Sequence, residues 1–334
     1  MTPATGGATM RRSASAAAGS TDAAPARTPR FLAIVGPTGA GKTALALLVA
    51  QRLGGEIISL DSRQIYRGMD IGTAKVTPAE RVLVPHHGLD LRNPDQRYSA
   101  GEFGRDARRW IDAIERRGRV PVLAGGTGFF LRVLTEPIFR EPPMDPVERR
   151  ELEDVLAGLP RDELERWVRR FDPDRAEVAI AGGYQRMLRV LSITILTGHN
   201  ISWWHVRYPT EGEALAGVIC LLEVPREVLD ERIRRRAVEM VEGGLVEEVA
   251  RLLRDGYWRG DPGMNAVGYR EMVDHLGGGM TLREAAERIR VATRRYARRQ
   301  DTWFRHQLAP GAVRIDGTAA LEAQATAVID AWAA

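Results

Sequence analysis

Apolar and polar positions along this chain alternate between two periods. Phe31-Leu-Ala-Ile-Val35 is short and continuously apolar, as a strand buried on both faces should be. Residues 43–53 then place Leu45, Leu48 and Val49 on one helical face. Glu56-Ile-Ile-Ser-Leu60 predicts a second strand. Ser99 and Glu102 form a capping box that opens a helix through Arg116, with Phe103, Ala107, Trp110, Ile111 and Ile114 as its apolar stripe. Val120 to Ala124 predicts a third strand and Gly217 to Glu223 a fourth. Strands alternating with helices predict an α/β fold: a parallel sheet with helices on both faces.

Residues 141–210 break this alternation. They open with Glu141-Pro-Pro-Met-Asp-Pro146, read as short helices without a strand, and close near Tyr208-Pro209. The expected organisation is therefore a core of residues 30–140 and 211–320 with C-terminal helices, and an all-helical insertion at 141–210. Pro225 suits the first position of a helix whose stripe is Leu229, Ile233, Ala237 and Met240. From Thr281 to Arg305 a longer helix aligns Leu282, Ile289, Thr293, Tyr296, Gln300 and Trp303 on one face, and helices are expected to dominate to about Gln307. Residues 1–29, rich in Ala, Ser, Thr and Gly, lack the apolar region of a secretory signal and read as a disordered tail, with a mitochondrial transit peptide as the alternative because the stretch has few acids and some Arg.

Composition narrows the function classes. The chain has 334 residues, 44% hydrophobic and 28% charged, which excludes global disorder. No apolar run approaches the roughly 20 residues that cross a bilayer, so no membrane partner is expected. A single cysteine, Cys220, excludes an internal disulfide framework and a multi-thiolate zinc site. Net charge is only +4, so any nucleic-acid binding depends on where the charge sits. Of 48 basic residues only Lys42 and Lys75 are lysine. A chain that otherwise uses arginine has reason to keep lysine where a compact ammonium is needed.

Lys42 sits in a motif. Gly36, Pro37, Thr38, Gly39, Ala40, Gly41, Lys42 and Thr43 fit G-x-x-x-x-G-K-[ST] between a strand and a helix. Glycines let backbone N–H groups close around phosphate oxygens, Lys42 supplies a point charge, and Thr43 supplies a hydroxyl to Mg²⁺. The helix that follows points its positive end at the anion. The loop reports a di- or triphosphate, not a reaction. Asp61 ends the next strand, where ligands of such sheets sit. It suits a magnesium ligand, a general base or a helix cap. Gly125-Gly126-Thr127-Gly128 adds a hydroxyl at the same rim.

Two arginine patterns stand out. Arg236 falls inside the apolar stripe of its helix and Arg232 at the edge, whereas Arg234 and Arg235 point outward. A buried guanidinium needs an anion, either a phosphate on the loop or an internal Asp or Glu. Near the C-terminus, Arg283, Arg288, Arg290, Arg294, Arg295, Arg298, Arg299 and Arg305 cover one helix against Glu284, Glu287 and Asp301, as suits a polyphosphate backbone. Residues 141–210 instead carry 10 Arg and 12 acids. His86-His87 read as a structural loop pair, and Trp203-Trp204 as core packing or a surface on which a base stacks.

Taken together, the phosphate loop, Asp61-Ser-Arg-Gln-Ile-Tyr66, Gly68 to Lys75, His86 to Asp90, Tyr98-Ser99, Gly125-Gly-Thr127, Arg232 to Arg236, Met240, Gly244 to Glu248, Gly268-Tyr269 and Thr293 to Arg305 resemble the tRNA dimethylallyltransferase (tRNA isopentenyltransferase) family, bacterial type. The resemblance implies a P-loop NTPase-like fold. It implies transfer of the dimethylallyl group of dimethylallyl diphosphate to N6 of adenine 37 in the tRNA anticodon stem-loop. The loop would hold the diphosphate, with Mg²⁺ at Thr43. Asp61 matches the general base, and Thr38 and Arg236 match residues that steady the leaving oxygens. Asp61, Ser62, Arg63, Gln64, Thr127, Arg150, Gln185, Arg186, Met187, Leu188 and Arg189 match tRNA-contacting segments. A monomeric, cytoplasmic enzyme is implied. Gly182-Gly183 and Leu191-Ser-Ile193 depart from the family's Asn-Asp and Leu-Glu-Val. Competing readings are a small-molecule kinase, a transferase acting on free adenine nucleotides, and an RNA-binding ATPase.

Overall fold

The computed structural model describes residues 30–137, 139–208, 210 and 213–334. The tail expected at residues 1–29 lies outside them. Strand β1 (Phe31–Val35) leads through the phosphate loop into α1 (Lys42–Leu53), then β2 (Glu56–Leu60), α2 (Pro78–Leu83) and β3 (His86–His87). Next come α3 (Ala100–Arg116), β4 (Pro121–Gly125) and α4 (Gly128–Thr135). Five helices follow: α5 (Pro146–Ala157), α6 (Arg161–Phe171), α7 (Ala176–Ala181), α8 (Tyr184–Thr197) and α9 (Ile201–Arg207). The chain then adds β5 (Gly217–Glu223), α10 (Arg226–Glu242), α11 (Leu245–Arg254), α12 (Tyr269–Leu276), α13 (Leu282–Gln307), β6 (Val313–Asp316) and α14 (Leu321–Ala333).

The six strands form one sheet in the order β3-β2-β4-β1-β5-β6, and every pairing is parallel. Alternate residues of β1 serve opposite faces, and both faces are apolar, as parallel sheets require. Phe31, Ala33 and Val35 join a core with Phe103, Ile111 and Phe130 of α3 and α4. Leu32 and Ile34 join another with Leu45, Val49 and Val328 of α1 and α14. A third cluster unites α10 to α13 with Ile65, Tyr66 and Met69. Helices α5–α9 pack around their own cluster, including Leu156, Val168, Met187 and Leu191. No described helix is long and apolar enough to cross a membrane.

Three sequence expectations are corrected. His86-His87 is not a loop but a two-residue edge strand against Ile57 and Ile58. His87 Nε2 lies 2.7 Å from Glu56 Oε2, so the pair is structural. Pro225 caps α10 from outside rather than occupying its first turn, because its extended ψ of 143° is non-helical. The core also continues past residue 320. Strand β6 extends the sheet edge, and Ala325 and Val328 of α14 are fully buried against α1.

Candidate active site

The carboxyl ends of β1, β2 and β4 converge, so the segments that follow them share one rim. The loop after β1 turns through Gly39 at φ 84° and Gly41 at φ 99°, conformations that side chains with a Cβ rarely adopt. Lys42 Nζ donates to the Pro37 carbonyl at 2.7 Å. Burial pushes the Lys42 ammonium down to about 8; the Arg236 charge acts the same way and Asp61 opposes both. Thr43 is exposed at the start of α1.

Arg236 reaches this loop. Its guanidinium donates to Thr38 Oγ1 at 3.1 Å, while its buried Nε has no partner. Burial pulls the Arg236 pKa below the usual guanidinium range, with Asp61 and Glu239 opposing. Among the described residues no carboxylate lies within ion-pair distance of it, so the alternative of an internal acidic partner is not what the fold provides. Arg232 has a different job: it donates to the carbonyls of Ala40 at 3.2 Å and Gly317 at 3.0 Å, clamping the loop.

Asp61 is half-buried, and its Oδ1 accepts the Arg63 N–H at 2.8 Å. Thr38, Asp61 and Arg236 line one cavity of about 280 Å³, together with Arg63, Gly72, Thr73, Met240, Asn265, Arg270, Tyr296 and Arg299. Burial, aided by Asp61, pushes the Tyr296 hydroxyl up to about 12, so it stays a neutral phenol. Thr127 Oγ1 accepts the Ser62 N–H at 3.1 Å. Gln64 donates to the carbonyls of Thr73 at 3.3 Å and Ala74 at 3.2 Å, holding that loop against the cavity. Hydrogen-bond donors suited to an anion and a carboxylate suited to a proton therefore face the same space.

The tRNA-contact candidates divide. Asp61 to Gln64 and Thr127 belong to the rim. Arg150, Gln185 and Arg186 are exposed on α5 and α8, away from the cavity lining. Arg189 Nε donates to Glu141 at 2.5 Å. Met187 and Leu188 are corrected: at 0% and 5% exposure they pack inside the α5–α9 cluster, so their side chains have no surface to offer an RNA. Trp203 and Trp204 are half-buried, with Trp203 stacked on His199 at 3.8 Å between ring centres.

Gln300 is the residue that sequence reasoning placed in a helix stripe without a role. Its Oε1 accepts the Thr38 N–H at 2.8 Å and its Nε2 donates to the Gly126 carbonyl at 2.8 Å. A buried amide thus ties α13 to the loops after β1 and β4. The signal was an amide within an apolar helix face. Asn265 and Arg270 gave no such signal, because they precede and open a short helix that only tertiary packing brings to the site.

Among the described residues no three His, Cys, Asp or Glu side chains gather as a metal cage. A Mg²⁺ here would share the Thr43 hydroxyl with phosphate oxygens and water, as this ion commonly does.

Comparison with known proteins identifies the family. The IPP transferase family profile matches residues 64–307, and an isopentenyl transferase profile matches residues 29–84. A tRNA dimethylallyltransferase from Geobacter metallireducens is 42% identical over 276 residues, covering 83% of this chain and 89% of that relative. The solved full-length tRNA isopentenylpyrophosphate transferase from Bacillus halodurans is 35% identical with a TM-score of 0.65, covering 92% of this chain and 97% of that one. The structure of a eukaryotic dimethylallyltransferase acting on tRNA gives a TM-score of 0.70 at 27% identity, over 86% of this chain and 74% of that one.

Proposed function

The chain belongs to the IPP transferase family of tRNA dimethylallyltransferases, and from that premise we propose that it moves the dimethylallyl group of dimethylallyl diphosphate to N6 of adenine 37 in tRNA, with Asp61 as the base. The observation that carries this assignment of roles is the shared cavity: Thr38, Asp61 and Arg236 all line it.

The bond from C1 of the donor to the diphosphate oxygen breaks, and a bond from C1 to N6 forms. The N6 proton passes to Asp61, and diphosphate leaves. An exocyclic amine conjugated with its ring is a poor nucleophile, so a positioned carboxylate accelerates the step. The leaving oxygens gain charge as the bond breaks. Lys42, the Arg236 guanidinium and the loop N–H groups at the start of α1 are arranged to receive that charge. Mg²⁺ held at Thr43 would neutralise part of the same charge. The adenine must leave its stack to enter the cavity, as other base-modifying chemistry requires. Action as a single chain in the cytoplasm fits the family resemblance.

The test uses the purified full chain, labelled dimethylallyl diphosphate and unmodified tRNA, with mass analysis of the nucleosides. Prenylated adenosine at position 37 is expected. Asp61→Ala should lower the transfer rate by about 10² to 10⁴ while tRNA affinity stays within about threefold. Phosphate transfer from ATP with no label in RNA would overturn the reaction, and an undiminished rate in D61A would overturn the base.

A further inference from the structure

The cavity lining mixes charged and apolar side chains. Asp61, Arg63 and Arg236 are among the charged ones. Ala237 and Met240 of α10, Ala266 and Val267 before α12, and Ile289 of α13 are its apolar ones. Ala237, Ala266 and Ile289 are only 6%, 4% and 1% exposed, so core packing fixes these side walls. Met240 is half-buried and packs against the same cluster.

Helix α10 sets these groups out in order. Arg236, Ala237 and Met240 lie within about 100° of one another around the axis, and Met240 stands one turn, about 6 Å, beyond Arg236. The contact from Arg236 to Thr38 Oγ1 at 3.1 Å marks the phosphate-loop end. Ala237 then offers only a methyl group. Met240 is the next α10 residue in the lining, and its unbranched thioether can fill an irregular gap. A dimethylallyl chain extended from its diphosphate oxygen spans about 5 Å at about 1.5 Å per bond, and each further isoprene unit adds about as much. The axial step from Arg236 to Met240 is about the length of one isoprene unit and about half that of two.

Resting on the function proposed above, we propose that Met240 is the stop that limits the transferred chain to five carbons. Ala237 leaves the space in which the chain lies, and Met240 closes it. A longer allylic diphosphate would have the same C1–O bond to break and C1–N6 bond to form, but its second unit would meet the thioether.

The test compares dimethylallyl and geranyl diphosphate on an anticodon stem-loop RNA, in the wild type and Met240→Ala. The wild type should prefer the five-carbon donor by about 100-fold or more in kcat/KM, since apolar pockets discriminate by about tenfold or more per methylene. M240A should shrink that preference at least about tenfold, and its calorimetric affinity for geranyl diphosphate, which needs no turnover, should rise. An unchanged preference in M240A that still transfers the five-carbon chain overturns the stop alone. Unchanged geranyl diphosphate affinity also overturns it. If M240A does not fold, Met240→Val removes less of the wall, and an unchanged preference there is equally fatal. A wild type that transfers neither chain overturns the proposed function and the stop together.

Discussion

Lys42 holds its ammonium against the Pro37 carbonyl, in surroundings that push its pKa down to about 8. A bound diphosphate adds negative charge and must raise that value again. Below about pH 7 the lysine is already charged in the free protein, so binding draws no proton to it. Above about pH 8 the free lysine is increasingly neutral, and binding must take up a proton, so affinity falls as pH rises. Calorimetry of inorganic diphosphate binding in buffers of different ionisation enthalpy should show more proton uptake at pH 9 than at pH 6.5. Lys42→Met should lose that excess, leaving only the titration of diphosphate itself; equal uptake in the two proteins would refute the coupling. The motif made Lys42 legible, because its chemistry is written in eight consecutive residues. Lys75 was not legible in this way. Its buried ammonium binds the Tyr66 carbonyl, Asp70 and Asp90, a structural role that no local spacing announces.

The same distinction governs the elements. Capping boxes and apolar stripes fix α3 and α13 from local residues alone: Ser99 accepts the Glu102 N–H and Thr281 the Glu284 N–H. The segment Gly68 to Lys75 has no such periodicity, and its shape depends on a distant helix. Glu248 of α11 accepts the N–H groups of Asp70 at 3.0 Å, Ile71 at 2.9 Å and Gly72 at 3.3 Å, and the Tyr269 hydroxyl at 2.5 Å. The Tyr269 ring lies so close that a Cβ on Gly72 would come within 2.5 Å of it. Gly72 and Thr73 line the cavity, so this strut shapes the site from behind. Glu248→Ala removes the acceptor of three part-buried backbone donors and of the buried Tyr269 hydroxyl, and should cost about 3 kcal/mol in urea unfolding. Glu248→Gln keeps an acceptor and should cost less than half as much. Equal losses in the two variants would show that packing rather than hydrogen bonding holds the segment. The short strands β3 and β6 were equally hidden, since a two-residue or four-residue edge carries too little pattern to separate it from a turn.

At the scale of the whole molecule, a net charge of +4 conceals an uneven distribution. On α13, Arg290, Arg294 and Arg305 are paired with Glu287, Asp230 and Asp301. Arg288, Arg295 and Arg299 are exposed and have no acidic partner within ion-pair distance among the described residues. Their spacing of seven and four residues puts them within about 40° around the helix, in a row about 16 Å long. Arg299 lines the cavity, and Arg295 and Arg288 continue the row along the exposed side of the same helix, whose Ile289, Thr293 and Tyr296 also line the cavity. Sequence alone revealed the arginine excess on this helix, but which of its charges are neutralised depends on α10, which supplies Asp230. A row of free guanidinium groups ending at the cavity is placed to follow a phosphodiester backbone whose adenine enters it. Each phosphate neutralised contributes about 0.7 to 0.9 to the slope of log affinity against log salt. Arg288→Gln and Arg295→Gln should each reduce that slope for tRNA by about this amount, with little change in unfolding temperature, whereas Arg290→Gln, whose charge Glu287 already offsets, should reduce it less. A slope that does not respond to Arg288 or Arg295 would place the RNA on another face and leave α13 a solvated helix.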